Sequence, residues 1–153
     1  MIRHRIVRVS RVAVLVAAAG HDAGHPGRNN LYLVNTRDAL AVRHGDRAVL
    51  EQHHLACTLE LAERFGVFAR VPDGAAGAAR CRAVVAAVIL GTDMAQHMGG
   101  VKRLEELALA ADAGGAVSSC TDDAAQRTEL LAAVVHMADI SNAGKPDAGL
   151  VQE

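Results

Sequence analysis

Apolar residues recur at helical spacing along most of this chain, and no stretch of any length alternates with the period of two that marks a strand. The first apolar run predicts a helix over residues 6–20, closed by Gly20, with Pro26-Gly27 marking a turn soon after. Short helices are expected at about 29–35 and 38–44. A longer one runs from about Asp46, read as its N-cap, to Arg64, with Leu55, Leu59 and Ala62 on one stripe. Val71 to Ala79 is rich in Gly, Ala and Pro and reads as a loop, too short to divide two domains. The next helix is expected over 80–98. Its stripe Val85, Val88, Ile89 leads to Thr92, and Gly99-Gly100 ends it. An amphipathic helix at 101–111, a loop from Ala113 to Asp123 and a helix at 124–140 complete the pattern. In that last helix Leu131, Val135 and Asp139 share a face, which carries Asp139 toward the core. The expected fold is all-α, one domain over 1–153.

Composition narrows the function classes. A net charge of -1 gives no general attraction to nucleic acid or to an anionic membrane, and with two Phe, one Tyr and no Trp there is no base-stacking platform. Ala, Val and Leu must build the core, which favours closely packed helices. Cys57, Cys81 and Cys120 are odd in number and widely spaced, which suits reduced intracellular thiols and predicts a cytoplasmic protein. Arg3, Arg5, Arg8 and Arg11 before the apolar run Val12 to Ala19 imitate a signal peptide. The run is too short to span a bilayer, and cleavage after it would fray the motif that follows, so a buried helix is the expectation.

That motif is His21-Asp22-Ala23-Gly24-His25-Pro26-Gly27-Arg28-Asn29-Asn30, answered more than a hundred residues later by His136-Met137-Ala138-Asp139-Ile140-Ser141-Asn142. Imidazole suits zinc-like ions, and a carboxylate also serves harder ions such as magnesium or manganese. His21 and Asp22 are neighbours, so both reach one metal only at a helix end or bend, which Gly20 and Pro26-Gly27 provide. His25 lies near one helical turn from His21 and binds either a metal or a metal-bound water; Asp139 closes the site from the last helix. An isolated His-Asp pair would be surface chemistry. Two such strings in apolar helical context point to a metal. Glu51, Gln52, His53 and His54 form a second polar knot. Glu51 and His54 share a face, as a carboxylate orienting an imidazole beside a metal would, whereas Gln52 or His53 reads as solvated. In Thr92-Asp93-Met94-Ala95-Gln96-His97 a buried Thr accompanies Asp93 and His97, read as exposed. His136 either supports Asp139 or is a satisfied core histidine.

The strings HDAGHPGRNN, VNTRDALAVRHGDRAVLEQHHLA, ILGTDMAQHM and HMADISN, in this order, resemble the catalytic domain of class I 3',5'-cyclic nucleotide phosphodiesterases over about residues 12–146. The HDxxHxGxxN pattern is highly specific. The resemblance implies an all-α HD-type helical bundle that hydrolyses cAMP, cGMP or both to the 5'-monophosphate in cyclic nucleotide signalling. It also implies two divalent metals, zinc-like at the tighter site and magnesium or manganese at the second. His21, Asp22 and Asp139 match ligands of the tighter metal, with Asp22 also reaching the second. His25, Glu51 and Thr92 match residues that hold the second metal's water shell, beside which His54 is placed by its spacing from Glu51, and Asn142 matches a position in the nucleotide pocket. The implied partner is a small-molecule cyclic nucleotide, with no nucleic acid and no membrane, and regulatory domains in a longer parent chain. The implied chemistry is attack on the phosphodiester by water activated between two cations.

The chain also departs from the pattern. The family's upstream His-Asn…His block, which supplies the general acid and a fourth ligand of the tighter metal, has no match; His4 is the only candidate and no Asn follows it. Gln152 lacks the context of the purine-gripping glutamine, His44-Gly45 replaces a common Tyr-Asn, and Ala143 stands where Pro is frequent. The expectation is a domain truncated at both ends, weakly active or inactive alone. The alternatives are a degenerate HD domain that binds metal without turnover and an HD-type phosphohydrolase acting on another phosphate ester.

Overall fold

The computed structural model describes residues 2–112 and 124–141, with side chains described from Arg8 onward except at 107 and 110–112. All regular structure among them is helical: α1 Ile2–Gly20, α2 Asn30–Asn35, α3 Ala39–His44, α4 Val49–Arg64, α5 Gly74–Leu90, α6 His97–Asp112 and α7 Ala124–Ile140. Single 3₁₀ turns at Phe68–Arg70 and Met94–Gln96 precede α5 and α6. The all-α expectation holds. The 113–123 loop, Asn142, Ala143, Gln152, Cys120 and the side chain of His4 lie outside the described residues.

Helix α5 is the centre of the bundle, packed against α1, α4 and α7. Its stripe Val85, Val88 and Ile89 is fully enclosed and meets Val9, Ala13 and Ala17 of α1 and Val135 of α7. Ala and Val on both partners let the helix axes approach closely, so burial is obtained with small side chains. Leu55 and Leu59 pack against this core and Ala62 belongs to it, as their stripe predicts. Phe68 plugs the end of the core beneath the Arg82 guanidinium, 4.4 Å from its ring centre, and Arg82 also pairs with Glu63. A smaller cluster of Leu33, Ala41, Val49 and Leu50 ties α2 and α3 to α4. No single helix among the described residues is long and apolar enough to cross a membrane.

Several boundaries differ from expectation. The chain turns at Pro72-Asp73 and α5 starts at Gly74, so most of the expected loop is helix. The four alanines of 74–79 outweigh the two glycines there, alanine being the best helix former. The helix expected to run to 98 stops instead at Leu90, and Gly91-Thr92-Asp93 makes the break, with Asp93 capping Ala95. Gly99 and Gly100 fall in the first turn of α6, where they end nothing. Asp46 does not cap α4. It adopts a left-handed φ of 60°, and Ala48 is the first flanking residue with no side-chain cap of its own.

Candidate metal centre

The site is built where the end of α1 meets α4. The Thr58 hydroxyl donates to the Gly20 carbonyl at 2.8 Å, and Thr58 fills the space where a Gly20 side chain would stand. The chain then turns tightly, with Ala23 N–H donating to Gly20 and His25 N–H to Asp22. Gly24 has a φ of +74° and passes over His53 and Cys57, and its carbonyl lies 3.1 Å from His53 Nε2. His53 therefore clamps the HD turn onto α4 and is not a freely solvated residue.

His21 faces two carboxylates. Its Nδ1 lies 2.9 Å from the Ala18 carbonyl, which can only accept, so Nδ1 carries a proton. Its Nε2 stands 3.2 Å from Asp139 Oδ1 and 3.6 Å from Asp22 Oδ2. A nitrogen so placed between two carboxylates holds a proton or shares a cation with them. Partial burial lowers the His21 pKa, but the Ala18 carbonyl and the charges of Asp22 and Asp139 together outweigh it, and the value stands above the usual one. Asp139 is one-third exposed, so α7 brings it to His21 at the rim and not into the core.

Asp22 turns its other oxygen the opposite way. Oδ1 lies 3.8 Å from His54 Nδ1, and Asp22, His25 and His54 offer ligand atoms all within 4.8 Å of one another. His54 is 3% exposed and its Nε2 has no partner among the described residues. Burial holds its pKa below the usual value, opposed by Asp22 and reinforced by the neighbouring His25 and His53. Gly27 N–H donates to His25 Nδ1 at 2.9 Å, which places a neutral His25's proton on Nε2. In that state His25 offers the group a hydrogen-bond donor and not a lone pair.

Glu51 is not bonded to His54. Its carboxylate accepts from the Asn30 amide at 3.0 and 3.3 Å, while the Asn30 carbonyl oxygen accepts from Leu50 N–H at 2.8 Å. Asn30, last residue of the HDxxHxGxxN string, thus caps α4 from a neighbouring element and aims Glu51 in one stroke. Sequence reading gave it no role, although its place in the motif was the available signal. Thr92 sits in the break after α5, half-buried, with its hydroxyl donated to the Ile89 carbonyl at 2.8 Å. His97, read as exposed, is half-buried, and its Nδ1 is 2.9 Å from His136 Nε2.

The all-helical domain gathers imidazoles and carboxylates from the turn after α1, from α4 and from α7 at one rim. The chain belongs to the 3'5'-cyclic nucleotide phosphodiesterase family, whose model matches residues 2–148. It is 34% identical over 134 residues to isoform F of a 3',5'-cyclic-AMP phosphodiesterase of Drosophila melanogaster, covering 86% of this chain and 20% of the relative. To 3',5'-cyclic-AMP phosphodiesterase 4C of Rattus norvegicus it is 33% identical over 137 residues, covering 88% and 25%. The crystal structure of the phosphodiesterase domain of a RhoPDE fusion protein from the choanoflagellate Salpingoeca rosetta superposes with a TM-score of 0.77 at 34% identity, over 90% of this chain and 42% of that one. The chain therefore spans a quarter or less of the two relatives' length.

Proposed function

We propose that this chain carries the metal centre of an enzyme hydrolysing 3',5'-cyclic nucleotides, cAMP foremost, to nucleoside 5'-monophosphates. One observation supports the reading: Asp22 sets Oδ2 near His21, which also faces Asp139, and Oδ1 near His54, with which it and His25 form one group. A carboxylate between two such clusters suits a pair of cations. The donor set fits. Ligands at about 2.0–2.2 Å around a tetrahedral ion stand about 3.3–3.6 Å apart, close to the spacing of His21 from its carboxylates. His21 also has its second nitrogen donated to a backbone carbonyl, the usual arrangement for a ligating imidazole.

His21, Asp22 and Asp139 would hold the tighter, zinc-like ion, and Asp22 with the polar groups of His25, Glu51 and Thr92 the magnesium or manganese ion. When bound, such cations lower the pKa of water and neutralise the phosphate oxygens. The protein's own groups do the rest. Ala18 fixes the His21 tautomer, Asn30 fixes Glu51, and the His25 N–H is a donor where negative charge gathers. Asn142 is assigned to the nucleotide pocket by its place in the HMADISN string.

The test combines metal analysis with a hydrolysis assay on cAMP and cGMP in manganese. Bound metal with 5'-monophosphate formation, both removed by Asp22→Asn, is the expected result. Metal retained by Asp22→Asn would overturn the assignment, and metal without product would leave a binding domain that turns nothing over.

A further inference from the structure

Helix α4 holds the HD turn by a backbone carbonyl at each end. Thr58 donates to Gly20 at the near end, and His53 reaches Gly24 at the far end. The near end has a further support, since His21 Nδ1 is bonded to the Ala18 carbonyl of α1. The far end is barer. His25 is exposed, and the bond its Nδ1 accepts comes from Gly27 N–H of the same turn. A bond inside the turn moves with it and cannot set His25 against α4. The His25 ring meets His54 only in a tilted approach, with 5.4 Å between ring centres.

The turn is fixed one residue earlier, at Gly24. A carbonyl only accepts, so His53 Nε2 carries a proton and donates it over 3.1 Å. Cys57, one helical turn further along α4, backs the ring with its sulfur, 3.7 Å from Nε2 and 3.9 Å from Nδ1. The fit is close. A side chain on Gly24 would begin 2.9 Å from His53 Nε2 and 3.1 Å from Cys57 Sγ.

We infer that His53 is a positioning residue: through the Gly24 carbonyl it holds His25 at the group that His25 forms with Asp22 and His54. Its role in metal binding rests on the proposed reading of that group as the second cation's place. The Nε2 of His53 is spent on Gly24, so this residue acts without touching the ion, as partners that orient a ligand do. Loss of His53 should therefore weaken the second cation, whereas His21, held by α1 and Thr58, keeps the tighter one.

The test loads the full chain with one equivalent of zinc and titrates manganese, the free ion being followed by electron paramagnetic resonance. His53→Ala should weaken manganese binding on the order of tenfold and retain zinc. His53→Gln, whose amide can donate to the same carbonyl, should recover most of the loss. In the metal-free chain, NMR should show a contact between the His25 and His54 rings that His53→Ala loses and His53→Gln regains. Manganese affinity and ring contact both unchanged in His53→Ala would overturn the inference. So would zinc and manganese lost together with a fall in melting temperature that His53→Gln does not repair, since His53 would then be packing alone. A parent that binds no manganese, yet whose ring contact depends on His53, supports the positioning and counts against the cation pair.

Discussion

Thr58 and Gly20 touch more closely than any residue larger than glycine would allow, and their hydrogen bond seats the end of α1 on α4 directly before the HD turn. Gly20→Ala should therefore destabilise the chain by about 1–3 kcal/mol, the usual cost of forcing a methyl into a filled contact. It should also reduce bound metal, because His21 is the next residue. Thr58→Ala in the same chain removes the atoms in the way and should restore part of the stability. Thermal unfolding of the three variants checks this. A Gly20→Ala chain as stable as the parent would show that the contact opens freely.

Asp139→Ala should release metal and lower stability together. It removes the carboxylate facing His21 and leaves that imidazole without its partner from α7. Equal zinc content in parent and variant, measured on purified protein, would count against Asp139 as a ligand. Chelator treatment of the parent should lower its melting temperature toward that of the variant.

Asn30→Ala should cost about 1–2 kcal/mol, since it withdraws the acceptor from Leu50 N–H in place of an N-cap. Asn30→Asp keeps that acceptor and sets a second carboxylate against Glu51. If the cap alone matters, the aspartate should equal the parent in stability. If aiming Glu51 matters as well, the aspartate should bind manganese differently from the parent while remaining folded.

The cysteines offer a pH test. Cys81 is fully buried, and that burial pushes its thiol above the ordinary value near 9 despite nearby Arg82. The fold thus favours the neutral thiol. Its contribution to stability is complete below pH 9 and declines as pH rises through the unfolded thiol's pKa toward the folded one. Half-buried Cys57 should react with iodoacetamide in the native protein, and Cys81 only after unfolding. Faster labelling of Cys81 than Cys57 at neutral pH would contradict this core.

Much of this was legible beforehand because helical stripes repeat over long windows. Val85, Val88 and Ile89 could only face inward, and the expected bounds of α7 were the observed ones. The misjudged bounds of α5 and α6 share a cause: glycine was read as punctuation. At Gly99 and Gly100 it is tolerated in a first helical turn, while at Gly74 it opens a helix that alanine sustains. In the site, motif order pointed to His21, Asp22 and Asp139, and the structure sets His21 beside both carboxylates. Partners across the fold were not readable. Nothing in the string EQHH says that Glu51 is held by Asn30, that His53 holds a backbone carbonyl, or that His97 meets His136. Those pairings depend on how helices are stacked, which local periodicity does not encode.

Helix α5 lies against both α1, which leads into His21, and α7, which carries Asp139. The gap between these two residues is thus calibrated by a rod of alanine and valine, as a feeler gauge sets a clearance. Adding one methyl to that rod would alter the clearance between His21 and Asp139.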